Sequence, residues 1–384
     1  MYFGAEVQAG AAAAARPERV LPSICFVAPH AWPVLSRDSR IAVVGGAEVQ
    51  QAILARLLAA HGQRVSMICL DFGQPTRAEV DGVTVHRGYR MHSGVPGLRF
   101  FHPRLSSMWQ AMRAADADIY YYRSAALMAG VMVEFCRRHG RRSIYAGASD
   151  RDFDSDAGGQ LARGRERWLF RRGLRLADRI VAQNEAQRAA CLATYGRDAV
   201  VIPSCYELSS RPREKPDVVL WVGTLHVNKR PDLLLELAAR LPQRRFVMVG
   251  GAPAGGEAFF GEMKRRAERL PNVEFTGFLP LAQVEPWFDR ARVLVNTSTY
   301  EGMPNVFLQA WARGVPTVAT VEVGVPGHKA VNGIEALQGE VENLLQNSVA
   351  HQEASRACRA YFEATHSSGE VLRRYRELFD GMMR

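Results

Sequence analysis

The sequence predicts an α/β protein built as two doubly wound units in tandem, facing each other across a cleft. Three observations predict it. Short apolar runs alternate with amphipathic segments through both halves, as βαβ units with a mostly parallel sheet require. The pattern stops at a polar stretch with two prolines and then restarts. The 384 residues suffice for about two to three ordinary domains. At 47% hydrophobic and 23% charged, the composition is that of a globular protein and excludes a disordered chain or a small disulfide scaffold. No window holds the roughly 20 uncharged apolar residues that a membrane-spanning helix needs.

Residues 1–18 hold an Ala run but no basic n-region, and they read as a disordered leader rather than a signal peptide. The first unit covers 19–206. Val20 to Val27 reads as a strand, and Glu48 to Ala60 as a helix, because Val49, Ala52, Ile53, Leu57 and Ala60 recur at helical spacing and Gly62 follows as a stop. Arg64 to Leu70 and Val83 to Val85 are further strands. A helix around Leu105 to Ala115 precedes the strand Ile119 to Tyr122. Ser143 to Ala146, Arg179 to Ala182 and Val200 to Ile202 complete that sheet. Residues 207–216, ELSSRPREKP, read as a linker.

The second unit covers 217–366. Its strands are Val218 to Val222, Phe246 to Val249, Val273 to Phe275, Arg292 to Val295 and Pro316 to Ala319. Its helices are Pro231 to Leu241, with proline at a favoured first-turn position, and Val306 to Arg313. Residues 367–384 close the chain with an amphipathic helix whose Val371, Leu372, Tyr375, Leu378 and Phe379 share one side.

The net charge of +10 favours anionic partners: nucleic acid, acidic lipid or phosphorylated ligands. The same excess suits a generally Arg-rich proteome, and no nucleic-acid-binding motif accompanies it. The six cysteines form no C-x-x-C pair and several lie in apolar runs, so they read as buried free thiols.

Open α/β sheets bind ligands outside the carboxyl ends of their strands, and three loops stand there. Val43 to Glu48 enters a helix after the first strand. Gly45 and Gly46 allow close approach of a phosphate to the helix N-terminus, and they equally suit a tight turn. The loop matches neither the dinucleotide nor the P-loop fingerprint. From Trp221 to Pro231 a strand ends at Gly223-Thr224, and Lys229 and Arg230 reach a helix start, where two cations suit a diphosphate. From Asn296 to Ala310 a strand ends in hydroxyl residues including Ser298, and the turn Glu301-Gly302-Met303-Pro304-Asn305-Val306 enters a helix. Glu301 can accept from sugar hydroxyls or cap that helix, and Gln309 lies on a face that can share the cleft.

The order G-G-A-E, V-G-x-L-x-x-x-K, G-F and E-G-M-P-N-V-x-L-Q-A resembles the retaining glycosyltransferase family 4, of GT-B architecture, over nearly the whole chain after the leader. The resemblance implies two Rossmann-like domains, with the C-terminal helix crossing back to the first. It implies a nucleotide-diphospho-sugar donor, UDP or GDP, held mainly by the second domain, and an acceptor held mainly by the first. No metal or other cofactor is implied, and anomeric configuration is retained. Glu301 matches the first Glu of the family's Glu-x7-Glu motif, near the donor sugar, and Lys229 matches the diphosphate-binding lysine. These two are the expected catalytic residues. Gly302 to Asn305, flanked by Ser298, Val306 and Gly223, would contact sugar and phosphate. Gly45 and Gly46 would approach the phosphates from the other domain, and Gly250-Gly251 and Phe278-Leu279 would lie near the nucleoside.

The chain departs from the family at several positions. Gln309 replaces the second Glu, which typically binds the ribose hydroxyls, though its carbonyl still accepts. Thr224 stands where an Arg is common, with Arg230 as the candidate substitute, and Arg123 falls where the family often has His. Ser204-Cys205 replaces Asn-Gly. The implied mechanism is a front-face displacement in which Lys229, Arg230 and helix N-termini stabilise the leaving diphosphate, which takes the acceptor proton.

On the acceptor side, Arg123, Asp150 and Asp152 are expected polar contacts, the aspartates belonging to overlapping D-x-D patterns that otherwise suggest a metal site. Arg163, Arg165, Arg167, Arg171, Arg172 and Arg175 crowd around Trp168, Leu169 and Phe170. That stretch, or the loop from His92 to His102, reads as a contact with an anionic membrane carrying a lipid-linked acceptor, or as a solvated helix face. The expected role is assembly of bacterial surface polysaccharide, lipopolysaccharide or glycolipid, in the cytoplasm or at the inner face of its membrane. The competing readings are a nucleotide-sugar epimerase or hydrolase of the same architecture, and a non-catalytic binding subunit.

Overall fold

The computed structural model describes residues 21–37, 45–95, 100–154, 161, 164–207, 216–253 and 255–384. The leader, Val43-Val44, Ser155-Asp156, Arg163 and most of the linker stretch lie outside the described residues.

The first sheet has eight strands: β1 Ile24–Val27, β2 Val65–Cys69, β3 Arg77–Val80, β4 Val83–Arg87, β5 Ile119–Arg123, β6 Arg142–Ala146, β7 Arg179–Ala182 and β8 Val200–Val201. Their order is β3-β4-β2-β1-β5-β6-β7-β8, all parallel except the hairpin partner β3. β1 sits at the centre, with Ile24 paired to Val65 on one side and Ile119 on the other. β1, β2 and β5 are buried along their whole length, as a parallel sheet covered on both faces demands. Alternation sorts the side chains: Ile24 and Phe26 join one core, Cys25 and Val27 the other.

The second sheet has six strands, all parallel: β9 Val218–Val222, β10 Arg245–Val249, β11 Val273–Gly277, β12 Ala291–Asn296, β13 Thr317–Ala319 and β14 His328–Ala330, in the order β11-β10-β9-β12-β13-β14. The helix Ser348–Thr365 packs on this sheet through Cys358 and Phe362. The last helix, Ser368–Met382, leaves it. Its Val371, Leu372, Tyr375, Leu378, Phe379 and Met382 enter the core of the first unit, where the Tyr375 hydroxyl lies 3.2 Å from that of Tyr121. All six cysteines are buried and free.

The structure corrects the sequence reading locally. β1 begins at Ile24 rather than Val20, and a short helix, Trp32–Ser36, intervenes before the G-G-A-E loop, which therefore does not follow the first strand directly. The helices Leu127–His139 and Glu185–Tyr195 were not expected. The first is apolar nearly all round, so it shows no clean period. It is crossed closely by the helix Gly164–Leu176: a Cβ on Gly130 would lie 2.2 Å from the Leu169 carbonyl oxygen. Only glycine admits that approach.

Candidate active site

The carboxyl ends of both sheets open onto one cleft of about 630 Å³. The first unit contributes Gly45, Gly46, Gln50, Arg123, Ser149 and Gln183; the second contributes Gly223, Thr224, Lys229, Gly250, Gly251, Phe278, Leu279, Asn296 and the run Tyr300 to Val306. The expected glycines, Lys229, Glu301, Phe278, Leu279 and Met303 to Val306 are thus brought together, with Arg123 on the opposite wall.

Lys229 and Glu301 are 72 residues apart in sequence and form an ion pair in the cleft. The Glu301 carboxylate also accepts from the Ser298 hydroxyl at 2.6 Å and Asn296 Nδ2 at 3.4 Å. Ser298 therefore orients Glu301 rather than lining the cleft. The two loops are fastened to each other. Thr297 Oγ1 lies 2.7 Å from the carbonyls of both Lys229 and Arg230 and receives the Trp221 indole N–H at 3.0 Å. The Thr299 N–H donates to the Asn228 carbonyl at 2.8 Å. A lysine has three protons to donate, so an incoming phosphate can share Lys229 with the carboxylate that positions it.

Backbone packing explains the glycines at the strand ends. A Cβ on Gly250 would stand 1.8 Å from the Gly223 carbonyl oxygen, so β9 and β10 end in direct backbone contact beneath the cleft. At the opposite wall the helix Gly46–Ala60 starts at Gly45, which brings no side-chain cap to the first turn, and the Glu48 carboxylate folds back beside Gly45.

The walls touch. Asn305 Nδ2 donates to the Gly46 carbonyl at 3.1 Å, and Gln50 Nε2 donates to Asn305 Oδ1 at 2.9 Å. The Arg151 guanidinium lies 4.1 Å over the Tyr300 ring. Gln50 was missed by the sequence reading; its only signal is a polar residue on the buried side of an apolar helix.

Several expected site residues do not reach the cleft. Arg230, with a left-handed φ of 47°, gives its guanidinium to Asp232 at 2.9–3.1 Å and does not line the cleft, so it does not replace the arginine missing at Thr224. Gln309 is buried among protein groups: its Nε2 donates to Glu285 Oε1 at 3.1 Å and lies 3.4 Å from the Tyr206 hydroxyl. Arg313 in turn holds Glu285 and donates to Asp289 at 2.6 Å. Asp152, 1% exposed, accepts from the Ala148 N–H at 2.8 Å and the Tyr145 hydroxyl at 3.3 Å. Burial pushes its carboxyl up to about 6, against the pull of the Ala148 bond and the Arg123 charge. Asp150 accepts from Gln187 Nε2 at 2.8 Å. Asp152 thus fixes the loop after β6 instead of facing an acceptor, whereas Asp150 braces Gln187 yet stays exposed beside Gly302. Among the described residues no three His, Cys, Asp or Glu side chains converge as a metal site would require.

Residues 44–210 match the family described as Glycosyltransferase Family 4, and residues 216–350 match the one described as Glycosyl transferases group 1. The chain belongs to glycosyltransferase family 4.

This family 4 chain is 30% identical over 177 residues to the D-inositol 3-phosphate glycosyltransferase of Mycolicibacterium paratuberculosis, a match covering 42% of the chain and 40% of that relative. It is 28% identical over 290 residues to the GDP-mannose-dependent alpha-mannosyltransferase of Mycobacterium tuberculosis, covering 71% of the chain and 74% of that relative. The chain thus matches about two fifths of the first relative's length and about three quarters of the second's. In fold it is similar to the sucrose-phosphate synthase of Thermosynechococcus elongatus, with a TM-score of 0.74 at 18% identity over 94% of this chain and 99% of that one. The family 4 assignment and the two facing parallel sheets agree on the GT-B architecture.

Proposed function

We propose that the chain is a retaining glycosyltransferase that moves a sugar from a nucleotide-diphospho-sugar, UDP- or GDP-linked, to a glycan or lipid-linked acceptor in cell-surface polysaccharide, lipopolysaccharide or glycolipid assembly. The observation that carries it is the Lys229–Glu301 pair inside a cleft built from the carboxyl ends of two facing sheets. The donor sits against the second unit. Lys229 and the N–H groups at the start of the helix Gly46–Ala60 stabilise the charge that develops on the leaving diphosphate. Glu301 holds Lys229 in place and accepts from the sugar hydroxyls, and the departing phosphate takes the acceptor proton. No cofactor or metal takes part.

The acceptor enters along the first unit. On the helix Gly164–Leu176, Arg167, Trp168, Arg171, Arg172 and Arg175 line a shallow groove of about 480 Å³, and Trp168 is 61% exposed. Phe101 is also 61% exposed, and Arg165 stacks on the neighbouring Phe100 ring at 4.8 Å. A basic face with exposed aromatics suits the anionic inner face of a cytoplasmic membrane. No described helix is long and apolar enough to cross one.

The test is a donor screen. The full chain is incubated with UDP-, GDP- and ADP-sugars, GDP-mannose first, with and without a lipid extract, and the released nucleoside diphosphate is measured. Acceptor-dependent release from one donor, unchanged by excess chelator and lost in Glu301→Ala and Lys229→Ala, is the expected result. Acceptor-independent turnover would instead mark a hydrolase or epimerase.

A further inference from the structure

The first-unit wall of the cleft ends in a buried guanidinium. Arg123, the last residue of β5, lines the cleft and is 7% exposed. One of its amino groups donates to the Ser204 hydroxyl at 2.9 Å, and that hydroxyl donates to Gln183 Oε1 at 2.8 Å. The Arg123 Nε–H is left without a partner. So is the Nε2 amide of Gln183, which also lines the cleft and is 6% exposed. Among the described residues no carboxylate forms an ion pair with this guanidinium. Asp152 feels its charge but is committed to Ala148 and Tyr145.

A buried charge is costly unless a counter-charge accompanies it, and native interiors rarely leave buried donors unfilled. Both donors belong to residues on the rim of the same space. The planar, forked guanidinium matches a carboxylate or phosphate in a way a lysine does not. The nucleotide's own diphosphate is assigned to Lys229 and the start of the helix Gly46–Ala60, so the group that meets Arg123 belongs to the sugar or acceptor end of the substrates.

We infer that Arg123 and Gln183, aligned by Ser204, form a subsite for a carboxylate or phosphate carried by one of the two transferase substrates. This rests on the transferase reading of the cleft. The anion comes either from an acidic acceptor or from a uronate donor sugar; in both cases the subsite selects a charged substrate over its neutral counterpart.

The experiment measures binding to the full chain by calorimetry in two arms. UDP and GDP are titrated first, to establish which nucleotide the chain takes. In the acceptor arm, glucose 6-phosphate and glucuronate are compared with glucose on the nucleotide-saturated protein. In the donor arm, the nucleotide-linked uronate is compared with the nucleotide-linked neutral hexose. The charged member is expected to bind about tenfold tighter or more in one arm, and that arm names the source. Arg123→Gln is expected to bring the preference within about twofold while nucleotide affinity stays within the same margin, and Arg123→Lys to keep part of it. Gln183→Ala, which spares the buried charge, provides an independent reduction of about threefold should Arg123→Gln fold poorly. Nucleotide binding with no preference in either arm, or a preference untouched by both Arg123→Gln and Gln183→Ala, overturns the subsite. A fall in nucleotide affinity in Arg123→Gln overturns it too, by placing Arg123 at the diphosphate. Failure of the unmodified chain to bind either nucleotide defeats the transferase reading itself.

Discussion

Asn305 and Gln50 join the two walls of the cleft through a hydrogen bond of 2.9 Å. The same Gln50 amide clamps the Cys205 peptide, donating to its carbonyl at 2.9 Å and accepting its N–H at 3.0 Å. One buried side chain therefore ties the donor turn to the end of the first unit. Gln50→Ala is expected to leave the Cys205 backbone unpaired at 2% exposure and to cost about 1–3 kcal/mol. Asn305→Ala removes only the link across the cleft and is expected to weaken donor binding with a smaller loss of stability. Urea unfolding midpoints set beside nucleotide titrations separate the two effects; equal midpoints for Gln50→Ala and the unmodified chain would contradict the clamp.

Two buried groups give opposite pH dependences. Burial raises Asp152 from 3.8 to about 6, so its contribution to stability is fully present below about pH 4 and is lost as pH rises through about 6. Burial lowers His366 from 6.5 to about 4, outweighing its bond to the Ser204 carbonyl at 2.7 Å. Its contribution is present above pH 6.5 and lost as pH falls through about 4. Relative to the unmodified chain, Asp152→Asn is expected to gain stability between pH 4 and 7, by up to about 3 kcal/mol. His366→Asn is expected to gain as pH falls over the same window. Denaturant midpoints at four pH values check both signs, and parallel curves for either variant and the parent would refute its assignment.

Gln309 stands where the family usually has a second glutamate, yet restoring it is expected to harm this chain. The Gln309 amide donates to Glu285, so Gln309→Glu brings two carboxylates together, with Arg313 already engaged by Glu285 and Asp289. The expected loss is on the order of 1–3 kcal/mol, read as a lower melting temperature. A more stable Gln309→Glu protein would show that the Glu285 contact is not what dictates glutamine.

The basic helix supplies the fourth prediction. The full chain is expected to co-sediment with phosphatidylglycerol vesicles at low salt and to be released at high salt, since screening shortens the reach of exposed charges. Arg167→Glu with Arg175→Glu is expected to abolish that binding without changing the melting temperature by more than a degree or so, because the change lies on an exposed face. Sedimentation unaffected by either salt or charge reversal would remove the electrostatic account.

How far the sequence could be read depended on whether the deciding contacts were local. β1 and β9 are unbroken apolar runs and β5 is one up to Arg123, so they were visible directly, and the loops holding Lys229 and Glu301 were visible by residue type and order. The helix Leu127–His139 was hidden because burial on nearly every side erases its period. Arg230 was misjudged because Asp232, two residues on, captures it at the helix start. The engagement of Gln309 by Glu285 spans 24 residues, and the link from Arg123 to Ser204 spans 81. Neither spacing follows a helical or strand period, so only the fold reveals what those side chains touch.

The central claim is that Lys229, positioned by Glu301, holds the diphosphate of a nucleotide sugar. Calorimetric titration of UDP and GDP into the unmodified chain, Lys229→Ala and Glu301→Gln tests it most directly. The account predicts binding of one nucleotide, weakened about 10- to 100-fold in Lys229→Ala, as loss of a charge-assisted phosphate contact implies, and less in Glu301→Gln. Absence of binding by both nucleotides, or equal affinity in the parent and Lys229→Ala, would contradict it.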